Sequence, residues 1–192
     1  MAASAAPYGA KPMGTLSASG SFTGKVQHIK IASGYDTLIS WGDFVKLVAA
    51  GTIEKDAGTT TATPVGVFMG CSYTDPTTSQ PTYAQMWTAD VAASDAMAYV
   101  LTDPNVLFQM QGDGAITQAM LGSNFAIVVT AGSTTIGRSK SAVDQSTSNT
   151  TNTLPLRIVD YVDGPDSAVG DAYTDVIMKF NVGHQYVNTT GI

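Results

Sequence analysis

The acidic residues of this chain are almost all of one kind. Fourteen of the fifteen are aspartate, and Glu54 is the single glutamate, in a chain that also contains 25 threonines and 19 glycines. Glutamate is favoured on helix surfaces, whereas aspartate, threonine and glycine are favoured in turns and strands. The bias therefore predicts an all-β protein with many turns and less than about 15% helix.

Size and charge limit the classes of partner. The chain has 192 residues, of which 44% are apolar, and this is enough for one core or two small ones. Its net charge is −6, and its nine lysines and arginines are spread along the sequence. Because phosphate binding needs clustered cations, we expect no nucleic-acid partner. A surface built from hydroxyl and amide groups instead suits packing against neighbouring molecules.

The cysteine content and the hydropathy exclude further classes. Cys71 is the only cysteine, so we expect a small buried thiol, no intramolecular disulfide and no cysteine-based metal site. No stretch approaches the roughly 18 apolar residues of a membrane helix, so we expect no membrane partner. Residues 1–14 lack the hydrophobic centre of a signal peptide, so we expect no export by that route.

The chain is predicted to consist of an extended N-terminal arm and one β domain. Residues 1–24 form the predicted arm, residues 25–192 the domain, and a subdomain division is possible near residues 88–95. The arm is poor in large apolar residues, so we expect it to order only against a neighbouring molecule. Its candidate partner contacts are Pro7, Tyr8, Lys11 and Pro12.

Apolar residues alternate with polar ones along several short segments. This period of two predicts strands, of which the clearest lie at residues 26–31, 96–101, 106–111, 125–130, 156–162 and 175–181. Shorter strands are predicted within 42–53 and 63–70, a long hairpin loop at 73–83 and a returning strand at 83–87. Val106, Phe108 and Met110 are expected to face inward. The spacing is typical of a small β-barrel or β-sandwich with short antiparallel strands.

The segment 139–153 leaves two alternatives open. It is rich in serine, threonine and asparagine, and Val143 is its only large apolar residue before Leu154. It is either a long surface loop or a pair of strands whose faces are both polar.

The residues that usually carry catalysis or bind metals are sparse. His28 and His184 are the only histidines, and neither has a nearby acid and nucleophile in sequence, so we expect structural or exposed side chains. The densest acidic cluster, residues 160–171, lacks the alternating spacing of a calcium loop and is more simply a turn. We therefore expect no enzymatic activity, no catalytic residues, no metal and no cofactor.

Aromatic residues offer one alternative class of site. Trp41, Tyr73, Tyr83 and Trp87 could stack on a sugar ring if several of them were exposed together on one concave face. Most lie within alternating strand patterns, which favours a role as core and interface anchors.

Several segments resemble those of a known class of viral protein. The motifs, in chain order, are WGDFVKL at 41–47, TPVGVFMGC at 63–71, LFQMQGDG at 107–114, LGSNFA at 121–126 and NVGHQY at 181–186, with Gly191-Ile192 at the end. Their order resembles that of small head-associated proteins of tailed bacteriophages, which are similar to capsid decoration, or cement, proteins. The resemblance covers the chain from about residue 35 onward and offers no match for the arm.

The resemblance implies a structural role. It implies a β-rich protein on the outer head surface of a virion, which bridges neighbouring capsomers and has the major capsid protein and copies of itself as partners. The alternatives are a carbohydrate-binding β module, a phage tail or fibre component and, third, a hydrolase. A hydrolase would need His28 or His184 within hydrogen-bond reach of a serine and an aspartate.

Overall fold

The computed structural model describes residues 4–16, 24–181, 183–188 and 191. These residues form fourteen β-strands, and their only helical element is a single 3-10 turn at Gln118–Met120. The strands are β1 (Lys11–Thr15), β2 (Val26–Lys30), β3 (Ile39–Ser40), β4 (Phe44–Leu47), β5 (Ile53–Lys55), β6 (Gly66–Thr74), β7 (Pro81–Ala84), β8 (Met86–Trp87), β9 (Met97–Leu101), β10 (Val106–Gln111), β11 (Asn124–Val128), β12 (Ala142–Asn149), β13 (Leu156–Tyr161) and β14 (Asp175–Phe180). The all-β prediction is confirmed.

The first sheet contains the strands with the clearest alternation. Its order is β1-β10-β14-β13-β11-β12, and every neighbouring pair is antiparallel. Phe108 on β10 is opposite Met178 on β14, and both side chains are fully buried. Val106 and Met110 are buried beside them, as the alternation predicts. The predicted inward face of β10 is therefore confirmed.

The second sheet is built from the first half of the chain. Its order is β2-β9-β6-β4-β5, with β7 paired to the outer part of β6, while β3 and β8 form a separate two-stranded ladder. The predicted loop at 73–83 is shorter than expected, since β6 continues to Thr74 and β7 begins at Pro81. The side chain of Asp75 accepts hydrogen bonds from Thr77 N and Thr78 N, and this tightens the turn.

The two sheets share part of their core. Phe44, Val67 and Leu101 of the second sheet pack with the buried residues of the first, and the rings of Phe44 and Phe108 lie 5.8 Å apart. No sheet in the described part of the chain closes into a barrel. The arrangement is consistent with a β-sandwich, so the barrel alternative is not supported.

The segment 139–153 is neither of the two predicted forms. It contains one strand, β12, which pairs with β11 at an edge of the first sheet. Ala142 and Val143 are buried at its start. Further along, the hydroxyl of Thr147 accepts a hydrogen bond from Ala126 N at 2.9 Å, so a polar side chain replaces a backbone acceptor where the register shifts.

The N-terminal arm is part of the first sheet. β1 pairs with β10, Ala10 is fully buried, and its backbone N donates to Gly42 O at 2.9 Å. The prediction that the arm orders only against a neighbouring molecule is therefore wrong for residues 4–16. Backbone hydrogen bonds to an open strand edge need no large side chains, so the composition of the arm was a poor guide. The prediction for residues 1–3 and 17–23 lies outside the described residues.

The chain passes from the second sheet to the first at residues 102–105, between β9 and β10. β9 lies between β2 and β6, so a division near residues 88–95 would remove an inner strand from the second sheet. We call residues 102–105 the crossover. Separate folding of two subdomains stays a prediction.

A buried ion pair joins the arm, the second sheet and the segment before β12. Asp43 Oδ2 lies 2.9 Å from Lys55 Nζ, and both side chains are almost completely buried. The same carboxylate accepts hydrogen bonds from Ser40 N at 2.8 Å and from the Ser139 hydroxyl at 2.5 Å. Gly9 passes so close that a Cβ there would lie 2.5 Å from Ser139 Cβ. Its φ of +75° also favours glycine.

Candidate interaction surface

Three separate parts of the chain meet at the crossover. Leu16 N, directly after β1, donates to Asn105 O at 2.9 Å, and Thr102 N donates to Lys25 O, directly before β2, at 2.9 Å. The C-terminal segment joins them because the Tyr186 hydroxyl donates to Gln27 Oε1 at 2.8 Å. The structure thus brings together residues that are more than a hundred positions apart.

Large apolar side chains are exposed around this junction. Leu16, Val26, Tyr186 and Val187 are each about half exposed, at 50%, 48%, 50% and 54%. Pro104 and Val187 line the same pocket. We call these five residues the crossover face. Grouped apolar side chains on a protein surface are typical of sites where another macromolecule binds.

A basic groove borders the crossover face. It has a volume of about 450 Å³, and its walls include Pro104, Asn105, Arg157, Lys179 and Val187. Arg157 on β13 and Lys179 on β14 are directly opposite each other in the strand register. Like charges in this position destabilise a sheet. Within the described part of the chain neither forms an ion pair, although Arg157 Nε donates to Asn124 Oδ1 at 2.8 Å.

His184 fixes the C-terminal segment beside this surface. Its side chain is 1% exposed, its ring lies 4.8 Å from that of Phe180, and its Nδ1 accepts a hydrogen bond from Tyr186 N at 3.2 Å. Burial lowers the pKa of His184 to about 4, an effect that the backbone of Val65 and the charge of Asp103 partly offset. His184 is therefore buried and packed against aromatic rings, and the absence of a catalytic role stays a prediction.

The low pKa of His184 makes the stability depend on pH. Between pH 6.5 and about 4 the unfolded chain binds a proton on this ring and the folded chain does not. The free energy of unfolding is therefore unaffected by this group above pH 6.5, and it decreases by up to about 3 kcal/mol as the pH falls towards 4. We expect urea unfolding at a series of pH values to show this loss in the wild type and not in His184→Gln.

The quantity to compare is the difference in the free energy of unfolding between the wild type and His184→Gln at each pH. Burial raises the pKa of Asp56 and of Asp175, so these two groups make the folded protein more stable as the pH falls. This contribution is the same in both proteins and cancels when their free energies of unfolding are subtracted. His28→Gln is the matched control because His28 is exposed on β2, where the centre of its ring lies 4.7 Å from that of Tyr99. A His184→Gln protein with the same pH dependence as the wild type would contradict this prediction.

The hydrolase geometry is not formed. In the described residues neither histidine is hydrogen-bonded to a serine and an aspartate, since His184 contacts aromatic rings and backbone while His28 contacts Tyr99. No three side chains of histidine, cysteine, aspartate or glutamate converge in the part of the chain that the structure describes. The absence of enzymatic activity stays a prediction.

The four aromatic residues do not form a sugar platform. Trp87 is fully buried, donates Nε1–H to Tyr35 O at 3.1 Å and packs against Tyr73 at 5.6 Å. The guanidinium of Arg138 lies 5.4 Å from the centre of the Trp41 ring. Tyr83 is 78% exposed, and it lines a small pocket of about 170 Å³ together with Tyr73, which is partly exposed. Only Tyr73 and Tyr83 therefore share a concave surface, and a carbohydrate-binding role stays an alternative.

The predicted partner contacts lie away from the crossover face. Tyr8 has a buried hydroxyl, and burial together with the charge of Asp175 raises its pKa. Pro7 lines a small cavity of about 120 Å³, and Pro12 is opposite Phe108 in the sheet. Lys11 is exposed at the far end of β1 from Leu16. Partner contact by these four residues stays a prediction.

Two further predictions concern Cys71 and the acidic segment. Cys71 is fully buried, and burial raises the pKa of its thiol to about 12, so the buried-thiol prediction is confirmed. In the segment 160–171, Asp160 and Asp171 accept hydrogen bonds from nearby backbone N–H groups, as expected of a turn.

Sequence reasoning missed the residues of the crossover face and the groove. Leu16 and Val26 lie at strand ends, and Arg157 and Lys179 occupy outward positions of two strands 22 residues apart. Their outward direction follows from the alternation, but their proximity depends on the pairing of β13 with β14. The only signal in the sequence was that two of its nine cationic residues lie at outward positions of two apolar strands.

Comparison with protein-family models, curated proteins and solved structures gave no match. The described residues contain no helix that is long and apolar enough to cross a membrane.

Proposed function

We propose that this protein is a structural virion protein that decorates the outer surface of a phage capsid and stabilises it by bridging neighbouring capsomers. The observation that carries the proposal is the crossover face, where four half-exposed apolar side chains from three chain segments surround one junction. The resemblance of the motifs between residue 35 and the C-terminus supports the same role. The major capsid protein and copies of the chain itself are the proposed partners.

The composition of the surface suits binding that is repeated by symmetry. An interface needs an apolar centre with a polar rim, and the crossover face provides the centre on a surface that is otherwise rich in threonine, serine and aspartate. A decoration protein is held at many equivalent positions. Modest contacts linked by a shell can therefore give high occupancy.

The proposal predicts that changes in the crossover face reduce binding to heads. We expect Leu16→Asp and Val187→Asp to weaken binding to undecorated heads at least about tenfold, because each places a charge at an apolar contact. Co-sedimentation of purified heads with each protein measures this. Tyr83→Ser is the matched control, since it removes a 78% exposed apolar side chain from the β6–β7 hairpin.

Mass spectrometry of purified virions tests the location directly. Presence of the protein on intact heads is the expected result. Absence from virions, or undiminished head binding by both aspartate variants, would contradict the proposal. Recovery only with separated tails would favour the tail or fibre component instead.

A further inference from the structure

Among the described residues, the two cations of the basic groove have no acidic partner. Arg157 and Lys179 are opposed on adjacent strands and form no ion pair among the described residues. Both are partly exposed, and Pro104 and Val187 line the same groove. A ligand that carries two negative charges next to small apolar groups would neutralise the cations and cover these side chains.

The opposite end of the same strand pair has the complementary chemistry. The segment 162–174, which we call the acidic loop, connects β13 to β14. Asp163 and Asp166 are exposed on it and form no ion pair within the described residues, while Val169 is 38% exposed. Hydrogen bonds between Gly164 and Ser167, at 2.9 Å and 3.2 Å, hold the turn in one shape.

The acidic loop of one molecule cannot reach its own groove. Asp163 is six residues from Arg157, which corresponds to about 20 Å along an extended strand. This distance is more than twice the Debye length of about 8 Å at physiological ionic strength, so the charges barely interact. A second copy placed end to end along the β13–β14 pair brings its acidic loop to the groove without this restriction.

We propose that copies of this chain join head to tail, with the acidic loop of one copy in the basic groove of the next. The charge of the whole chain favours this arrangement over other contacts between copies, since molecules with a net charge of −6 repel each other except where opposite patches meet. The contact is heterologous and forms a ring if its rotation closes. The inference rests on the proposed function as a protein of repeated assemblies, and it names the contact between copies.

Reversal of charge on each patch tests the contact. We expect the wild type to associate at low salt and to do so at least about tenfold more weakly at 0.5 M salt, as measured by sedimentation velocity over a range of protein concentrations. Arg157→Glu/Lys179→Glu and Asp163→Lys/Asp166→Lys should each lose this association. Each variant alone has a groove and a loop of like charge.

An equal mixture of the two variants is the decisive sample. In the mixture the acidic groove of one variant faces the basic loop of the other, and the reverse pair is also complementary, so association should return. Lys30→Glu/Lys140→Glu is the matched control for the groove variant, because it makes the same change in net charge at exposed positions outside both patches. Circular dichroism confirms that each variant is folded.

Three results would overturn the inference. The first is a wild type that stays monomeric at low salt up to about millimolar concentration. The second is a mixture that is no more associated than its two components. The third is loss of head binding in the groove variant alone, without any self-association of the wild type. The last result would assign the groove to an acidic segment of a different protein. Self-association does not depend on the virion assay, so failure of the proposed function would be recognised separately.

Discussion

Replacement of Asp43 with alanine is expected to lower the free energy of unfolding by about 3–5 kcal/mol, because it leaves the buried ammonium of Lys55 without its partner. The Lys55 side chain is only 8% exposed and its Nζ lies 2.9 Å from the lost carboxylate. Ser40 N and the Ser139 hydroxyl would lose their acceptor as well. Urea unfolding followed by tryptophan fluorescence measures the change.

Removal of both charges distinguishes the contribution of the ion pair to stability from that of the surrounding packing. Asp43→Asn/Lys55→Met has no buried charge at this position, so the double variant should be more stable than the sum of the two single changes predicts. Asp163→Ala is the control, since this aspartate is exposed on the acidic loop and should change stability by no more than about 0.5 kcal/mol. An Asp43→Ala protein as stable as the wild type would show that the pair does not hold the fold together.

Deletion of residues 1–16 is expected to lower the free energy of unfolding by about 4 kcal/mol or more. Four hydrogen bonds outside the β1–β10 ladder would be lost: the backbone N–H groups of Gly9, Ala10 and Leu16 donate to backbone carbonyls, and that of Ala6 donates to Gln111 Oε1. Each contributes roughly 1 kcal/mol, and the buried side chain of Ala10 adds to this. The deletion also opens the edge of β10, so we expect concentration-dependent aggregation.

A point variant controls for changes on the same strand. Lys11→Gln keeps β1 and alters only an exposed side chain, so it should unfold at nearly the same urea concentration as the wild type. Unchanged stability of the deleted protein would show that β1 contributes nothing to the stability of the first sheet.

The sequence by itself determined the fold class and the directions of many side chains. Composition alone indicated a β protein, because the preferences of aspartate, threonine and glycine for turns and strands act within a few residues. The alternation of Val106, Phe108 and Met110 showed which face of β10 is buried, since successive side chains of a strand point to opposite faces. The burial of Cys71 was predicted because it is the only cysteine and has no partner for a disulfide.

Only the tertiary structure decided which segments are neighbours. Ala10 is fully buried although its own segment is nearly devoid of large apolar residues, because it packs in the core of the first sheet and its backbone N–H donates to Gly42 O. Arg157 and Lys179 form a basic groove only because the register of β13 and β14 places them opposite each other. Pairing and register depend on contacts between residues far apart in the chain, and a local pattern determines the face of a side chain without specifying what lies next to it.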